Sequence, residues 1–395
     1  MSVFLLVIGI ILFIGLVVIH EYGHFIAARR GGVDVEEFGI FFPPRLFKKR
    51  MKGGWDFTIN LLPLGGFVKL KGEHDSDTEP RSFGAASLKT KTKIMVAGVF
   101  MNLITALILF TLLAIVGIPK IIDNQFTVAS DTKVSKQVIY IAAVEPGSPA
   151  EKAGLKARDQ ILSVGGLSCG ITNETCKDLK TPEQLRLSTK AAEASEYVIK
   201  YERDGKTNFT TANLRSSDEV EASLKTDKPK GYLGVTPADF TLQRSTWSAP
   251  VVAVGLSAQI TQLTLEGLGK AVSGLGSIIA GIVTGNTPAR QNGQEAASSQ
   301  VSGPVGIFFI LQSGSDLGPQ FMLFIIAIIS LTLAIMNILP IPALDGGRLW
   351  MTLISRGIFK KPLSNKREEA INATGFFILL GLIALITFVD VKRFF

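Results

Sequence analysis

V-V-I-H-E-Y-G-H-F-I-A-A-R-R, residues 17–30, sets two imidazoles and a carboxylate at the end of a long apolar run. Ser2 to Ile19 carries no charged residue, and at about 1.5 Å per helical residue such a run covers most of a roughly 30 Å hydrocarbon core. Residues four apart on a helix lie one above the other, so His20 and His24 face the same way with Glu21 beside them. H-E-Y-G-H fits H-E-x-x-H, in which two histidines hold one metal ion and the glutamate serves as base. Five letters are a weak signal alone. The context strengthens them, because the chain has three histidines and two are here. Ionisable groups at the edge of a span are costly unless paired or coordinated, which makes them functional candidates. The competing reading, a helix that leaves the bilayer at Ile19, is opposed by Phe25 to Ala28, which continue the apolar face before Arg29.

The remaining sequence has the same character. Of 395 residues 47% are hydrophobic, and Ile94–Ile118, Phe321–Leu344 and Thr374–Val389 are further uncharged runs. They predict a polytopic α-helical membrane protein with four transmembrane helices, at 1–30, 94–118, 321–345 and 374–390. No basic region precedes the first apolar stretch, and Arg29 and Arg30 follow it, so it reads as a retained span rather than a signal peptide.

A net charge of +8 invites a nucleic-acid reading, but its distribution opposes one. Residues 29–93 hold 13 basic and 8 acidic groups and residues 346–373 hold 6 and 2, while residues 119–250 are balanced at 18 and 17. An excess in the loops after the first and third spans is what cytoplasmic loops show. Both termini and the 119–320 segment are therefore expected outside the cytoplasm. Cys169 and Cys176 fall in that segment, where a disulfide is permitted. Two free thiols remain the alternative, since spacing does not show that the Cβ atoms face each other.

The loop at 31–93 contains two β-prone pieces, Trp55–Leu62 and Phe67–Lys71, joined at Pro63–Gly66. They read as a hairpin, either associated with the membrane beside the spans or soluble in the cytoplasm. Residues 138–215 alternate short β-branched runs with helical pieces at Pro149–Ala153 and Thr181–Lys190, a small α+β domain. Residues 250–285 are helical in period, and Gln259, Gln262, Glu266 and Lys270 mark one polar face, which suits a helix on the membrane surface; a fifth span would reverse the sidedness of all that follows. Residues 286–300 read as a flexible Gly/Ser-rich linker.

A catalytic zinc site takes three protein ligands and leaves one position open. Asp345, after the third apolar run in A-I-M-N-I-L-P-I-P-A-L-D-G-G-R-L, supplies a third ligand, and Gly346 and Gly347 let the backbone bend there. A helix cap is its structural alternative.

Together H-E-x-x-H, N-x-x-P-x-P-x-L-D-G-G at 337–347 and the intervening domain resemble the site-2 protease family of intramembrane zinc metalloproteases, above all its bacterial regulator-of-sigma-E branch. The resemblance also rests on P-L-G-G-F-V-K-L-K-G-E at 63–73, similar to that family's membrane-associated β-hairpin, on A-G-V-F-M-N at 97–102, and on V-S-G-P-V-G-I at 301–307. The stretch E-P-G-S-P-A-E-K-A-G-L-K-A-R-D-Q-I-L-S-V-G-G at 145–166 resembles part of a PDZ domain, with Arg158 where glycine is usual. One PDZ-like unit is evident where the best-known members have two.

The resemblance implies Zn2+ held by His20, His24 and Asp345, with Glu21 as the catalytic acid/base. It implies that Asn337 and Asn102 bind substrate. Interhelical hydrogen bonding is the alternative for both asparagines. The implied substrate is the transmembrane segment of a partner, such as an anti-sigma factor or a signal-peptide remnant. The implied location is the bacterial cytoplasmic (inner) membrane, with the lipid bilayer as the other partner and no nucleic acid. His74 lies in an acidic, solvated loop. A non-proteolytic PDZ-bearing scaffold with structural zinc is the rival reading, and it has no use for Glu21. A metal transporter would need a charged pathway that the spans do not contain.

Overall fold

Among the described residues of the computed structural model, five helices are long and apolar enough to cross a membrane: Val3–Arg30, Leu88–Val116, Ala249–Ile278, Pro319–Ile338 and Asn365–Thr387. The structure describes residues 2–169, 176–226, 229–288, 291–292 and 304–394. Much of the linker expected at 286–300 lies outside them. The chain forms two compact units, one from residues 1–116, 125–128 and 246–395 and one from residues 117–124 and 129–245.

In the first unit, α1 (Ser2–Arg30) runs unbroken through the histidine motif. Its backbone closes with Gly31 N–H to Ala27 O and Val33 N–H to Ala28 O, and Gly32 takes the left-handed conformation that ends the helix. Strands β1 (Val35–Arg50) and β2 (Asp56–Leu70) follow. Each bends, β1 at Pro43–Pro44, so the two form a sheet of four segments rather than the single hairpin turn expected at 63–66. Glu37–Ile40 lies between Asp56–Ile59 on one side and Gly66–Lys69 on the other, and Arg45–Arg50 pairs with the far side of Asp56–Asn60. Phe25 of α1 packs edge-on to Phe38 and Trp55, which seats the sheet along α1.

Helix α2 (Leu88–Val116) starts at Ser87, whose hydroxyl accepts from the Thr90 N–H at 3.2 Å. The second unit then intervenes. Its strands are β3 (Ile118–Pro119), β4 (Lys133–Val144), β5 (Gln160–Gly165), β6 (Lys177–Asp178), β7 (Glu196–Arg203), β8 (Lys206–Asn213) and β9 (Val235–Arg244). They form one sheet in the order β3-β9-β4-β5-β7-β8, with β6 on β5. Helices α3 (Pro149–Lys152), α4 (Pro182–Ala191) and α5 (Ser217–Ser223) accompany it. Ile139, Ile141, Ile161, Val164, Leu185 and Ile199 fill its core. Because β9 pairs with β4 along most of its length, the sheet extends past residue 215, the expected end of the domain. Cys169 and Cys176 are joined as a disulfide.

Helix α6 (Ala249–Thr284) returns to the first unit. Ala249 and Val252 pack on Ala114 of α2, and the Gln259 side chain accepts from the Phe126 N–H at 3.0 Å. This is the helix expected on the membrane surface, and by length and composition it is the least apolar of the five candidates. Helices α7 (Pro304–Leu317) and α8 (Pro319–Ile338) follow, and Leu311, Met322, Ile325 and Ile326 close over Leu16 of α1. Phe110 of α2 meets Phe324 of α8 edge to face at 5.7 Å.

The third apolar helix ends at Ile338 rather than at 345. Pro340 and Pro342 cannot continue a helix, so the chain crosses an irregular link before α9 (Asp345–Thr352), a π-turn (Leu353–Ile358) and α10 (Asn365–Phe394).

Candidate active site

Three ligand-type atoms converge inside the first unit. His20 Nε2 lies 2.9 Å from Asp345 Oδ2, His24 Nε2 lies 3.0 Å from the same oxygen, and the two Nε2 atoms are 3.2 Å apart. Among the described residues this is the one group of three His, Cys, Asp or Glu side chains placed to hold a metal ion. The residues lie 325 and 321 positions apart in sequence and meet because α1 and the start of α9 both pack on α2. Asp345 comes to the histidines through its glycines. A Cβ on Gly346 would lie 2.2 Å from the Leu339 carbonyl oxygen and one on Gly347 2.3 Å from that of Ile341, so only glycine lets α9 tuck under the proline link.

The donor chemistry fits zinc. His24 Nδ1 lies 2.8 Å from the buried carbonyl oxygen of Ile94, which can only accept, so the ring proton sits on Nδ1 and the Nε2 lone pair is left facing the group. A lone pair, a carboxylate oxygen and a second imidazole nitrogen within about hydrogen-bond distance repel one another unless a proton or a metal ion lies among them. Tetrahedral zinc with bonds near 2.0–2.1 Å sets its ligands about 3.3 Å apart, close to the separations here. Gly98 of α2 leaves the room: a Cβ there would lie 2.4 Å from His24 Nε2 and 2.7 Å from His20 Nε2.

Glu21 borders a cavity of about 250 Å³ whose walls include His24, Gly66, Val68, Asp345 and Arg348. The edge segment of the β-sheet stands against it, for a Cβ on Gly66 would lie 3.2 Å from Glu21 Cγ. The Val68 backbone N–H of that segment donates to the Glu21 carboxylate, which borders the same cavity as His24 and Asp345, where a base for water is needed.

The two asparagines occupy different places. Asn102, fully buried on α2, has Nδ2 3.3 Å from His20 Nδ1, behind the ligand atoms. Asn337 is half-buried near the end of α8 and is not part of the cavity wall. His74 pairs with Glu369 at 3.4 Å, away from the site. Sequence reasoning did not identify the Ile94 carbonyl, Gly98 or Gly66. A backbone acceptor and two absent side chains leave no chemical signature; the one usable signal is that positions 94, 98 and 102 recur every four residues along one helix face.

Residues 8–382 match the model of peptidase family M50. A protein of Clostridium perfringens described as a "putative zinc metalloprotease" is 30% identical, over 98% of this chain and 98% of its own length. The zinc metalloprotease RasP of Shouchella clausii is 26% identical, over 98% of each chain. A protein of Enterococcus faecalis named "Probable protease eep" is 25% identical, over 99% of this chain and 98% of its own. With its helices apolar enough to span a membrane and its three zinc-type ligands drawn together, this chain belongs to peptidase family M50 and is a multi-pass, site-2-type zinc metalloprotease.

Proposed function

We propose that this protease hydrolyses a peptide bond within the transmembrane segment of a membrane-bound partner. The observation that carries the reading is the meeting of His20, His24 and Asp345 between helices that are apolar enough to span a bilayer, with Glu21 beside them. When bound, Zn2+ supplies Lewis acidity that polarises the scissile carbonyl and lowers the pKa of water. Glu21 takes the proton from the attacking water and returns it to the leaving nitrogen. Phe42, Phe67, Leu70, Phe83 and Ile94 line the cavity beside Glu21.

A substrate helix in lipid satisfies its amides internally, so its scissile stretch must unwind and find new partners. The Gly66–Leu70 edge, whose Val68 and Leu70 N–H groups donate to Glu21 and Glu73, is the proposed place for substrate backbone to pair, and Asn337 offers a side-chain amide. Substrates of this kind include an anti-sigma factor already trimmed outside the membrane and signal-peptide remnants. The bacterial cytoplasmic membrane is the proposed location, with four spans, the helix at Ala249–Thr284 on its surface, and both termini outside. The second unit is proposed as a PDZ-like filter or docking module outside the membrane. In support, residues 145–165 fold as turn, short helix and strand.

The deciding experiment is cleavage of a model membrane substrate in detergent. Glu21→Gln is expected to slow cleavage by about 10²–10⁴-fold, the range for a general acid/base, with zinc content unchanged, and chelator is expected to stop the wild type. Cleavage by Glu21→Gln at the wild-type rate would overturn the reading and favour the scaffold.

A further inference from the structure

We infer that Asn102 is a positioning residue that holds His20 in the tautomer able to bind zinc, by accepting a hydrogen bond from His20 Nδ1–H through its side-chain oxygen. The inference rests on the zinc-protease reading and deepens it. Asn102 is fully buried, its amide faces His20 Nδ1 at 3.3 Å, and its Oδ1 has no hydrogen-bond partner.

The two ends of an amide have the same shape, and only hydrogen bonding tells them apart. With Nδ2 toward the ring, Nδ1 must be the acceptor, so the proton of the neutral ring sits on Nε2. That atom is 2.9 Å from Asp345 Oδ2 and 3.2 Å from His24 Nε2, where a proton would exclude the metal. Turning the amide over puts Oδ1 toward Nδ1–H. The unpaired oxygen gains a donor, Nδ2 becomes the unpaired end instead, and Nε2 regains its lone pair, so the metal's need for that lone pair is what selects this orientation.

The neighbouring ligand shows the same logic already satisfied. His24 Nδ1 donates to the Ile94 carbonyl at 2.8 Å. Ile94, Gly98 and Asn102 stand four residues apart on α2, so one helix face receives the back of both imidazoles, while Gly98 between them leaves space for the rings. The position of the Asn102 turn is itself fixed, since the buried Ser330 hydroxyl of α8 donates to the Asn102 backbone carbonyl at 2.8 Å. Hydrogen bonds behind a metal-bound histidine set its tautomer and orientation, and losing one costs about 10–100-fold in metal affinity.

Two measurements on the full-length protein test this. In competition with a chromophoric chelator, Asn102→Leu is expected to bind Zn2+ about 10–100-fold more weakly, and Asn102→Asp, which keeps an acceptor, to recover most of that loss. Wild-type zinc affinity in Asn102→Leu, with a raised KM for cleavage, would overturn the inference and make Asn102 a substrate contact. The second measurement needs no variant: nitrogen-15 spectra of the zinc-loaded wild type, which has three histidines. His20 protonated at Nδ1 and coordinated through Nε2 is the expected result, and coordination through Nδ1 would refute it. Failure of the wild type to bind zinc at all would sink the protease reading instead.

Discussion

Gly98 is where one hydrogen atom decides whether a metal site exists. A methyl group at that position would stand 2.4 Å from His24 Nε2, well inside van der Waals contact, and neither imidazole has a free side to move to, because Ile94 and Asn102 hold their Nδ1 edges. Gly98→Ala is therefore expected to lower zinc affinity by at least about tenfold, as displacement of a ligand's support does, while the helical signal in circular dichroism stays unchanged. A Gly98→Ala protein with normal zinc stoichiometry at limiting metal would contradict the cradle. Gly66 tests the other side of the site. Gly66→Val adds bulk where even a Cβ would sit 3.2 Å from Glu21 Cγ. It is expected to cut kcat/KM on the order of 10²-fold by misplacing the base with zinc binding intact, and a parallel loss of zinc would show that the strain spreads to the ligands instead.

At the scale of elements, an ion cluster ties the site's supports together. The Lys91 ammonium on α2 and the Asp75 carboxylate in the loop after β2 are both buried and bonded to each other, and Arg356 of the π-turn reaches Asp75 at 2.9 Å. Glu368 of α10 accepts from the Asp75 N–H at 3.0 Å, and Arg348 donates to the Glu73 carbonyl at 2.9 Å. Four elements thus meet at one aspartate, between the edge segment that flanks Glu21 and the helix that carries Asp345. Removing one partner of a buried pair strands the other charge, at about 3–5 kcal/mol. Asp75→Ala is expected to destabilise the first unit by that amount, read from chemical denaturation in detergent, and a change below 1 kcal/mol would show the pair to be hydrated and dispensable.

At the scale of the whole molecule, the two units have separate cores. The Cys169–Cys176 bridge closes a short loop in the second unit, and constraining so short a loop contributes about 2 kcal/mol by the chain-entropy account. Reduction is expected to raise hydrogen exchange across residues 129–245 and to leave exchange in α1 and α2 as it was. Equal acceleration in both units would show that they unfold together. Any truncation that removes the second unit should run to residue 245, because cutting at 215 strands β9 without its partner β4.

The local chemistry was legible because it follows from spacing. Residues four apart on a helix share a face, so His20, Glu21 and His24 declare themselves within five letters, and uncharged runs announce helices that suit lipid. Asp345 was legible as a lone carboxylate among apolar residues, and the structure brings it within 3.0 Å of both imidazoles. The sheet was only half legible, since its first strand contains Phe41–Phe42–Pro43–Pro44 and has no regular alternation to mark it; its pairing comes from contact with α1 and β2. Span count is the other ambiguity, because Ala249–Thr284 is both apolar enough to cross and faced with polar residues. What the sequence by itself determined was the set of reactive groups and the apolar helices that carry them. Only the tertiary structure decided that groups more than three hundred residues apart share one ion's coordination distance, that α2 supplies the acceptor behind one imidazole and an amide behind the other, and that a β-edge stands beside the base. Those are non-local contacts through backbone atoms and missing side chains, and the four-residue recurrence at 94, 98 and 102 marks one helix face without showing what packs on it.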